Sequence, residues 1–435
     1  MGLSHHARAL LQRLARFLDG YAPCFVRRAR VGHARRYVKG LLSDAKHKNM
    51  QGMVSRLVEP GDYQALQNFI THSTWQADMV WSRLRAILPD RRGVFIIDDT
   101  GILKQGSHSV GVASQYCGAV GKIANSQNIV TCTLHTGKYT WPLSMALYLP
   151  ERWCSDPARR KGADVPDAIQ HRTKHVMAIE QLDIAIAAGF AIDAVLADAA
   201  YGDSTDLRDA IAARGLRYSV GIGKNTTVFA SAPRFKLTKR PSRPVLAEGS
   251  AVPQTVASIA DSAMPKDWAR ISWRHGVKGK LEAEFLIRRV IPAHRWHLGQ
   301  SHDEVWLICE RTLGADSVRK YYLSNLPAET KPRELVRITH ERWAIEMHYR
   351  DLKQELGLDH FEGRSYPGFA RHLVLTALAY VFLQSERRRK RSDVVASLNA
   401  IRRSVTEILT AMLFASGERF ASLVADFARD PPPSG

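Results

Sequence analysis

Apolar residues in the first ninety positions recur at helical spacing. Leu10, Leu14, Phe17 and Leu18 form one such set, and Met50, Met53, Val54, Leu57 and Val58 form another; a recurrence of three and four is the period of an amphipathic helix. Pro60-Gly61 interrupts the pattern, and Tyr63, Leu66, Phe69 and Ile70 resume it. Ser73 with Gln76 three residues on reads as a capping box, opening a further helix through Val80, Leu84, Ile87 and Leu88. At residue 93 the period changes. Val94-Phe95-Ile96-Ile97 is an unbroken β-branched and aromatic run, as in a strand buried on both faces, and it ends in Asp98 and Asp99. A polar, glycine-containing stretch (101–127) follows. Then come two strand-like runs, 129–134 and 140–149, joined by the turn residues Thr136-Gly137-Lys138. Residues 166–188 read as helical, Ala194-Val195-Leu196-Ala197 as another buried strand ending at Asp198, and 218–223 as one more strand.

The stretch 224–320 differs, with prolines at 233, 241, 244, 253, 265 and 292 and strand-like pieces at 283–290 and 305–309. It reads as an insertion of mainly β character. Helices resume near Pro332 and run to about residue 415, and the Pro431-Pro432-Pro433 tail is expected to be disordered. The pattern predicts an α/β protein in five parts: an N-terminal helical DNA-binding domain (1–90), a first core part (91–223), the β-rich insertion (224–320), a second core part (321–390), and a C-terminal helix with a disordered tail (391–435).

Charge adds a partner. The 435 residues hold 62 Lys plus Arg against 42 Asp plus Glu, a formal net charge of +20, and such an excess attracts polyanions, nucleic acid foremost. The first 60 residues hold 12 Lys or Arg and only 3 acids, which gives the helical region the character of a DNA-binding bundle. Residues 387–391 (Arg-Arg-Arg-Lys-Arg) form a second basic run, open to two readings, a DNA contact or the solvated end of a helix. The five cysteines form no CxxC pair, which argues against structural zinc and suits a reducing cytoplasm. Arg13 and Arg16 break any leader-like apolar stretch, and the apolar run 373–383 is too short to span a bilayer; the expectation is a soluble cytoplasmic protein. The absence of GxGxxG, Walker and HExxH motifs argues against a metabolic enzyme.

An acid closing a buried strand is unusual, because a buried carboxylate needs compensation. Two strands here end that way, at Asp98-Asp99 and at Asp198. Strand ends are where open α/β sheets place ligands, and carboxylates brought together there favour a hard divalent cation. A third element is the segment 342–353. On a helix, Ile345, Tyr349, Leu352 and Leu356 form an apolar stripe, while Arg342, Glu346, Arg350 and Lys353 form a second stripe roughly 85° away. That places one carboxylate among three cations suited to phosphates.

Three blocks carry a family likeness: Ile97-Asp98-Asp99-Thr100-Gly101, Leu196-Ala197-Asp198-Ala199-Ala200-Tyr201-Gly202, and Arg342-Trp343-Ala344-Ile345-Glu346 with Lys353-Gln354-Glu355-Leu356-Gly357-Leu358. In order and spacing they resemble insertion-sequence DDE transposases, in the group with a Tyr-Arg-Glu-Lys signature on the helix of the third acid. The resemblance implies an RNase H-like core interrupted by the β-rich insertion, and Asp99, Asp198 and Glu346 as the catalytic and metal-binding acids. Asp99 is taken first because the family places that acid directly before Thr or Ser; a central strand could still point Asp98 at the metals. Arg342 and Lys353 match the signature's Arg and Lys, and with Arg350 they are the expected DNA contacts, whereas the signature's Tyr falls on Thr339. The implied cofactors are two Mg²⁺ or Mn²⁺ ions. The implied activity is cleavage at the ends of an insertion sequence and strand transfer into target DNA. The implied partners are double-stranded DNA, as terminal inverted repeats and target, and a second copy of the chain. Trp268, Trp273 and Trp296 are candidates to stack on a flipped base. The alternatives are a non-catalytic, transposase-derived DNA-binding regulator and an RNase H-like nuclease or resolvase.

Overall fold

The structure is a computed structural model that describes residues 5–59, 61–236, 244–276, 279–300, 302–389 and 397–416. It opens with helices α1 (His5–Asp19), α2 (Arg28–Leu42), α3 (Met50–Ser55), α4 (Tyr63–Thr71) and α5 (Ala77–Ile87). Asn49 and Asp62 cap α3 and α4 through their side chains. The start of α5 departs from the capping-box expectation: Gln76 occupies the cap without a side-chain bond. The Ser73 N–H is spent instead on Asn68 O at the end of α4, 2.9 Å away.

A sheet-forming region follows: β1 (Arg92–Leu103), β2 (Ala113–Cys117), β3 (Lys122–His135) and β4 (Thr140–Leu147). The polar stretch 101–127 therefore contains strand that its composition conceals. Gln127 at its end and the adjoining Asn128 are buried with their amide nitrogens bonded inside the protein, Gln127 Nε2 donating to Val110 O at 2.6 Å and Asn128 Nδ2 to Tyr116 O at 3.1 Å. Two short helices, α6 (Glu151–Cys154) and α7 (Pro157–Gly162), lead to α8 (Lys174–Ala187). The helix expected over 166–188 thus begins only after the Thr173 cap, whose hydroxyl accepts from Val176 N. Next are β5 (Ala191–Ala197), α9 (Ala199–Gly202), α10 (Thr205–Ala213) and β6 (Tyr218–Ile222).

The proline-rich stretch holds β7 (Thr227–Phe229), β8 (Phe235–Lys236), β9 (Val245–Leu246), β10 (Gln254–Thr255), α11 (Val256–Asp261), β11 (Trp268–Gly276), β12 (Gly279–Pro292), β13 (Val305–Arg311) and β14 (Lys320–Ser324). Its β character was legible, and its placement was not. The strands run in the order β10-β7-β12-β13-β14-β6-β5-β1-β3-β2, with β11 on β12 and β4 on β3, so the stretch extends the same sheet outward from β6. The chain ends in α12 (Pro332–His340), α13 (Ala344–Arg350), α14 (Tyr366–Arg389) and α15 (Leu398–Ala415). The Pro431–Pro433 tail and residues 390–391 of the basic run lie outside the described residues.

The N-terminal helices share one apolar core with α14, in which Leu14, Tyr21, Tyr37 and Phe69 join Phe369, Leu378 and Phe382. Buried polar bonds lock this contact. Arg371 donates to Ile70 O at 2.7 Å and Thr71 O at 3.0 Å, and Arg13 forms a fork to Glu386 at 2.7 and 2.8 Å. By length and composition α14 could cross a membrane, but its apolar window is 83% buried by the protein, as in a core helix.

Candidate active site

Alternation along β1 decides where its two terminal acids go. Val94 and Ile96 pack with Ala194 and Leu196 of β5 and with Ile345 and Tyr349 of α13, whereas Phe95 and Ile97 face the main core. Successive side chains of a strand point to opposite faces. Asp98 therefore continues the face covered by α13, and Asp99 the other.

The neighbouring strand brings up the second acid. β1 and β5 are parallel, with Phe95 opposite Val195 and Ile96 opposite Leu196, and that register carried forward sets Asp198 beside Asp98. Asp198 caps α9, accepting from Tyr201 N at 3.3 Å. Glycine makes this turn possible: a Cβ on Gly202 would lie 2.0 Å from Gly221 O of β6, so only hydrogen lets α9 sit so close to the sheet.

The third acid arrives on a helix of changing pitch. Residues Glu341–Trp343 form a 3₁₀ turn, α13 follows, and Asp351–Glu355 form a π-helical turn. Arg342 Nη1 donates to Asp98 Oδ2 at 2.6 Å, and its Nη2 lies 3.6 Å from Glu346 Oε1. Asp198 attracts the same guanidinium. Arg342 thus contacts two of the acids and feels the charge of the third. Burial pushes the Asp98 carboxyl up to about 8, outweighing the Arg342 guanidinium that pulls it down, with the Asp198 and Asp99 charges adding to the rise. Burial raises Asp198 as well, against the same guanidinium. Glu346 stays half-exposed, its side chain at 55%.

Asp99 keeps different company. Its Oδ2 accepts from Lys174 Nζ at 2.6 Å and from the Tyr201 hydroxyl at 3.4 Å. Of the remaining expected residues, Lys353 donates to Gly101 O at 2.8 Å, pinning the end of β1, and the π-helical turn takes it off the straight-helix stripe drawn through Glu346. Arg350 is partly exposed and 3.8 Å from Asp351. Thr339 is buried, its hydroxyl 2.7 Å from that of Ser219 in β6, so the position where the signature has Tyr joins helix to sheet here. The three tryptophans are engaged within the protein: Trp268 under Arg311, Trp273 against His340, and Trp296 stacked on Phe235. Sequence reasoning missed Lys174, Tyr201 and Trp343. Tyr201 lies inside a recognised block, and Trp343, 48% exposed and covered by Arg274, directly follows Arg342. Nothing in the local sequence marks Lys174.

The profile of the DDE superfamily endonucleases matches residues 20–280. The chain belongs to the DDE superfamily endonuclease family. The match takes in the N-terminal helices from α2 onward, both acid-bearing strand ends and much of the β-rich stretch, and it stops before the Glu346 helix. The chain is also similar to a probable transposase for insertion sequence element IS701 from Microchaete diplosiphon, 32% identical over 169 residues. That stretch is 38% of this chain and 41% of the relative, so the likeness spans less than half of either protein. Within this endonuclease family, the carboxylate cluster at the ends of β1 and β5 is the natural place to look for chemistry. Among the described residues, no three His, Cys, Asp or Glu side chains form a ready-made metal cluster.

Proposed function

We propose that this DDE endonuclease is an insertion-sequence transposase, which cleaves DNA at the element's ends and joins the freed 3′-OH to target DNA. Asp98, Asp198 and Glu346 are its catalytic and metal-binding acids. One observation carries the assignment: Arg342 bonds Asp98 and lies 3.6 Å from Glu346, while the β1–β5 register sets Asp198 beside Asp98. When ionised they carry more negative charge than Arg342 can balance. Their hard oxygens would suit Mg²⁺ or Mn²⁺, two ions being what the family resemblance implies. Asp99, the acid singled out by its position before Thr100, is set aside in favour of Asp98 because its carboxylate faces away from α13 toward Lys174.

The strand order β4-β3-β1-β5-β6, antiparallel as far as β1 and parallel beyond it, supports an RNase H-like core with the acids at its centre. Asp98, Asp198 and Glu346 would hold the divalent metal, which would supply an activated water and charge stabilisation for an in-line phosphoryl displacement. The protein's part is positioning. Asp98 and Asp198 are fixed by adjacent strands, and Glu346 sits on a helix anchored through Ile345 and Tyr349. The Tyr349 hydroxyl is itself held 2.5 Å from that of Thr131. Arg342 and the exposed Arg350 are the guanidinium groups that can meet a DNA phosphate. Lys353 holds the strand end that carries the acids. Double-stranded DNA is the substrate, and a homodimer bridging two element ends is the assembly this reading expects.

The experiment is cleavage of a supercoiled plasmid carrying the element's ends, with Mg²⁺, followed by detection of strand-transfer products. Asp98→Asn, Asp198→Asn and Glu346→Gln each abolish both products while duplex binding persists. Full cleavage by any of the three variants would remove that residue from the site. A wild-type chain that binds the ends but never cuts would favour a DNA-binding regulator.

A further inference from the structure

The two neighbouring aspartates have unequal partners, and the second pair belongs to no part of the reaction described so far. Lys174 is the first residue of α8, which runs back along the main-core face of the sheet to lead into β5. Its N-terminus therefore stands at the edge where β1 and β5 end in acids. The Lys174 ammonium touches Asp99 at 2.6 Å and lies 5.5 Å from the centre of the Tyr148 ring. An ammonium has three donors, and the contact with Asp99 uses one. The side chains of Lys174 and Asp99 are 28% and 22% exposed, so the pair sits at the rim of the cluster. Tyr201 braces Asp99 from the other side with its hydroxyl at 3.4 Å, and its ring packs edge-on against His175.

We infer that Asp99 is a positioning residue for Lys174, holding its ammonium at the rim of the acid cluster to bind a DNA phosphate beside the scissile bond, and that it is not a metal ligand. This rests on the assignment of Asp98, Asp198 and Glu346 as the metal-binding acids. The geometry explains why two acids stand in succession: alternation sends one inward to the helix of the third acid and the other outward to a cation. A lysine side chain has many rotamers, and a fixed carboxylate removes most of that freedom before DNA arrives. The substrate feature recognised is a backbone phosphate, so Lys174 contributes affinity and register rather than sequence choice.

The test compares Asp98→Asn, Asp99→Asn, Lys174→Gln and the double variant Asp99→Asn/Lys174→Gln in the full-length chain. Two readouts apart from catalysis are used. Mn²⁺ binding is followed by calorimetry without DNA, and binding of a fluorescent duplex by anisotropy over a salt series. Asp98→Asn is expected to weaken Mn²⁺ binding at least about tenfold, with Asp99→Asn within about twofold of wild type. Lys174→Gln is expected to weaken duplex binding about threefold to tenfold and to lower the salt slope by about 1. Asp99→Asn shows the same trend more weakly, and the double variant is no worse than Lys174→Gln alone, as coupled residues require. Loss of Mn²⁺ binding in Asp99→Asn overturns the inference, as do additive effects on the duplex. If Asp98→Asn also leaves Mn²⁺ binding intact, the proposed metal site falls, and the duplex series still decides whether Asp99 and Lys174 act together.

Discussion

Asp98 and Asp99 are joined by one peptide bond and live in different environments. Asp98 is buried under α13, bonds the Arg342 guanidinium that also lies near Glu346, and is pushed toward its neutral form by burial. Asp99 is at the rim, with a lysine of its own and a tyrosine hydroxyl. The side-chain alternation of a strand is the whole cause of the difference. Adjacency in sequence thus says nothing about shared chemistry at a strand end, and the face each residue takes decides what it can do.

Substitutions can break or sharpen this contrast. The largest effect expected is on cleavage: Asp98→Asn, Asp198→Asn and Glu346→Gln each lower the rate by at least about a hundredfold. Asp99→Asn acts mainly through DNA affinity, so its deficit shrinks as DNA concentration rises. Single-turnover rates against DNA concentration check both. Next comes Arg342→Gln, which leaves two buried strand-end carboxylates without their counter-ion. It is expected to destabilise the metal-free protein by about 2 kcal/mol, with denaturant unfolding showing recovery when Mn²⁺ is added.

A third effect depends on pH. The Asp98 carboxyl is raised above its unfolded value, so the native state holds a proton that the unfolded chain releases. Its contribution to stability is full below the ordinary carboxylate range and is lost as pH rises toward about 8. Asp98→Asn therefore raises the melting temperature of the metal-free protein by about 2–4 °C near pH 7.5, a gain that fades toward pH 4. Melting curves across that range test the sign. Smallest is the stability effect of Asp99→Asn, at most about 1 kcal/mol, because its ion pair with Lys174 is partly solvated and weakens further with salt. Equal pH-dependent behaviour of the two Asn variants would erase the distinction between the faces.

The acids of the candidate site stand out along the chain. Two apolar runs ending in acids and a helix with a separate charged stripe draw attention to Asp98-Asp99, Asp198, Arg342 and Glu346, and the family resemblance is what joins them into one candidate site. What the pattern could not show was the covering of one sheet face by α13, which divides the two aspartates. Nor could it show the π-helical turn that re-aims Lys353 onto Gly101 O, since a hydrophobic stripe is drawn on an ideal helix. The strand hidden in the polar stretch 101–127 was missed because polar residues such as Ser126 and Gln127 are buried in the folded sheet, which composition does not reveal. The N-terminal helices read correctly as helices, yet their packing on α14 depends on Arg371 reaching carbonyls about 300 residues away in sequence.

Local periodicity and residue chemistry by themselves determined most of the helices and apolar strands, their order and the excess of positive charge, because each is a property of a few consecutive side chains or of the whole composition. Tertiary structure alone decided which aspartate meets Arg342 and Glu346, which lysine joins the rim, and that the β-rich stretch continues the main sheet through β14 and β6. Those outcomes turn on which distant surfaces bury one another, and burial is a sum over the folded chain that no short window contains.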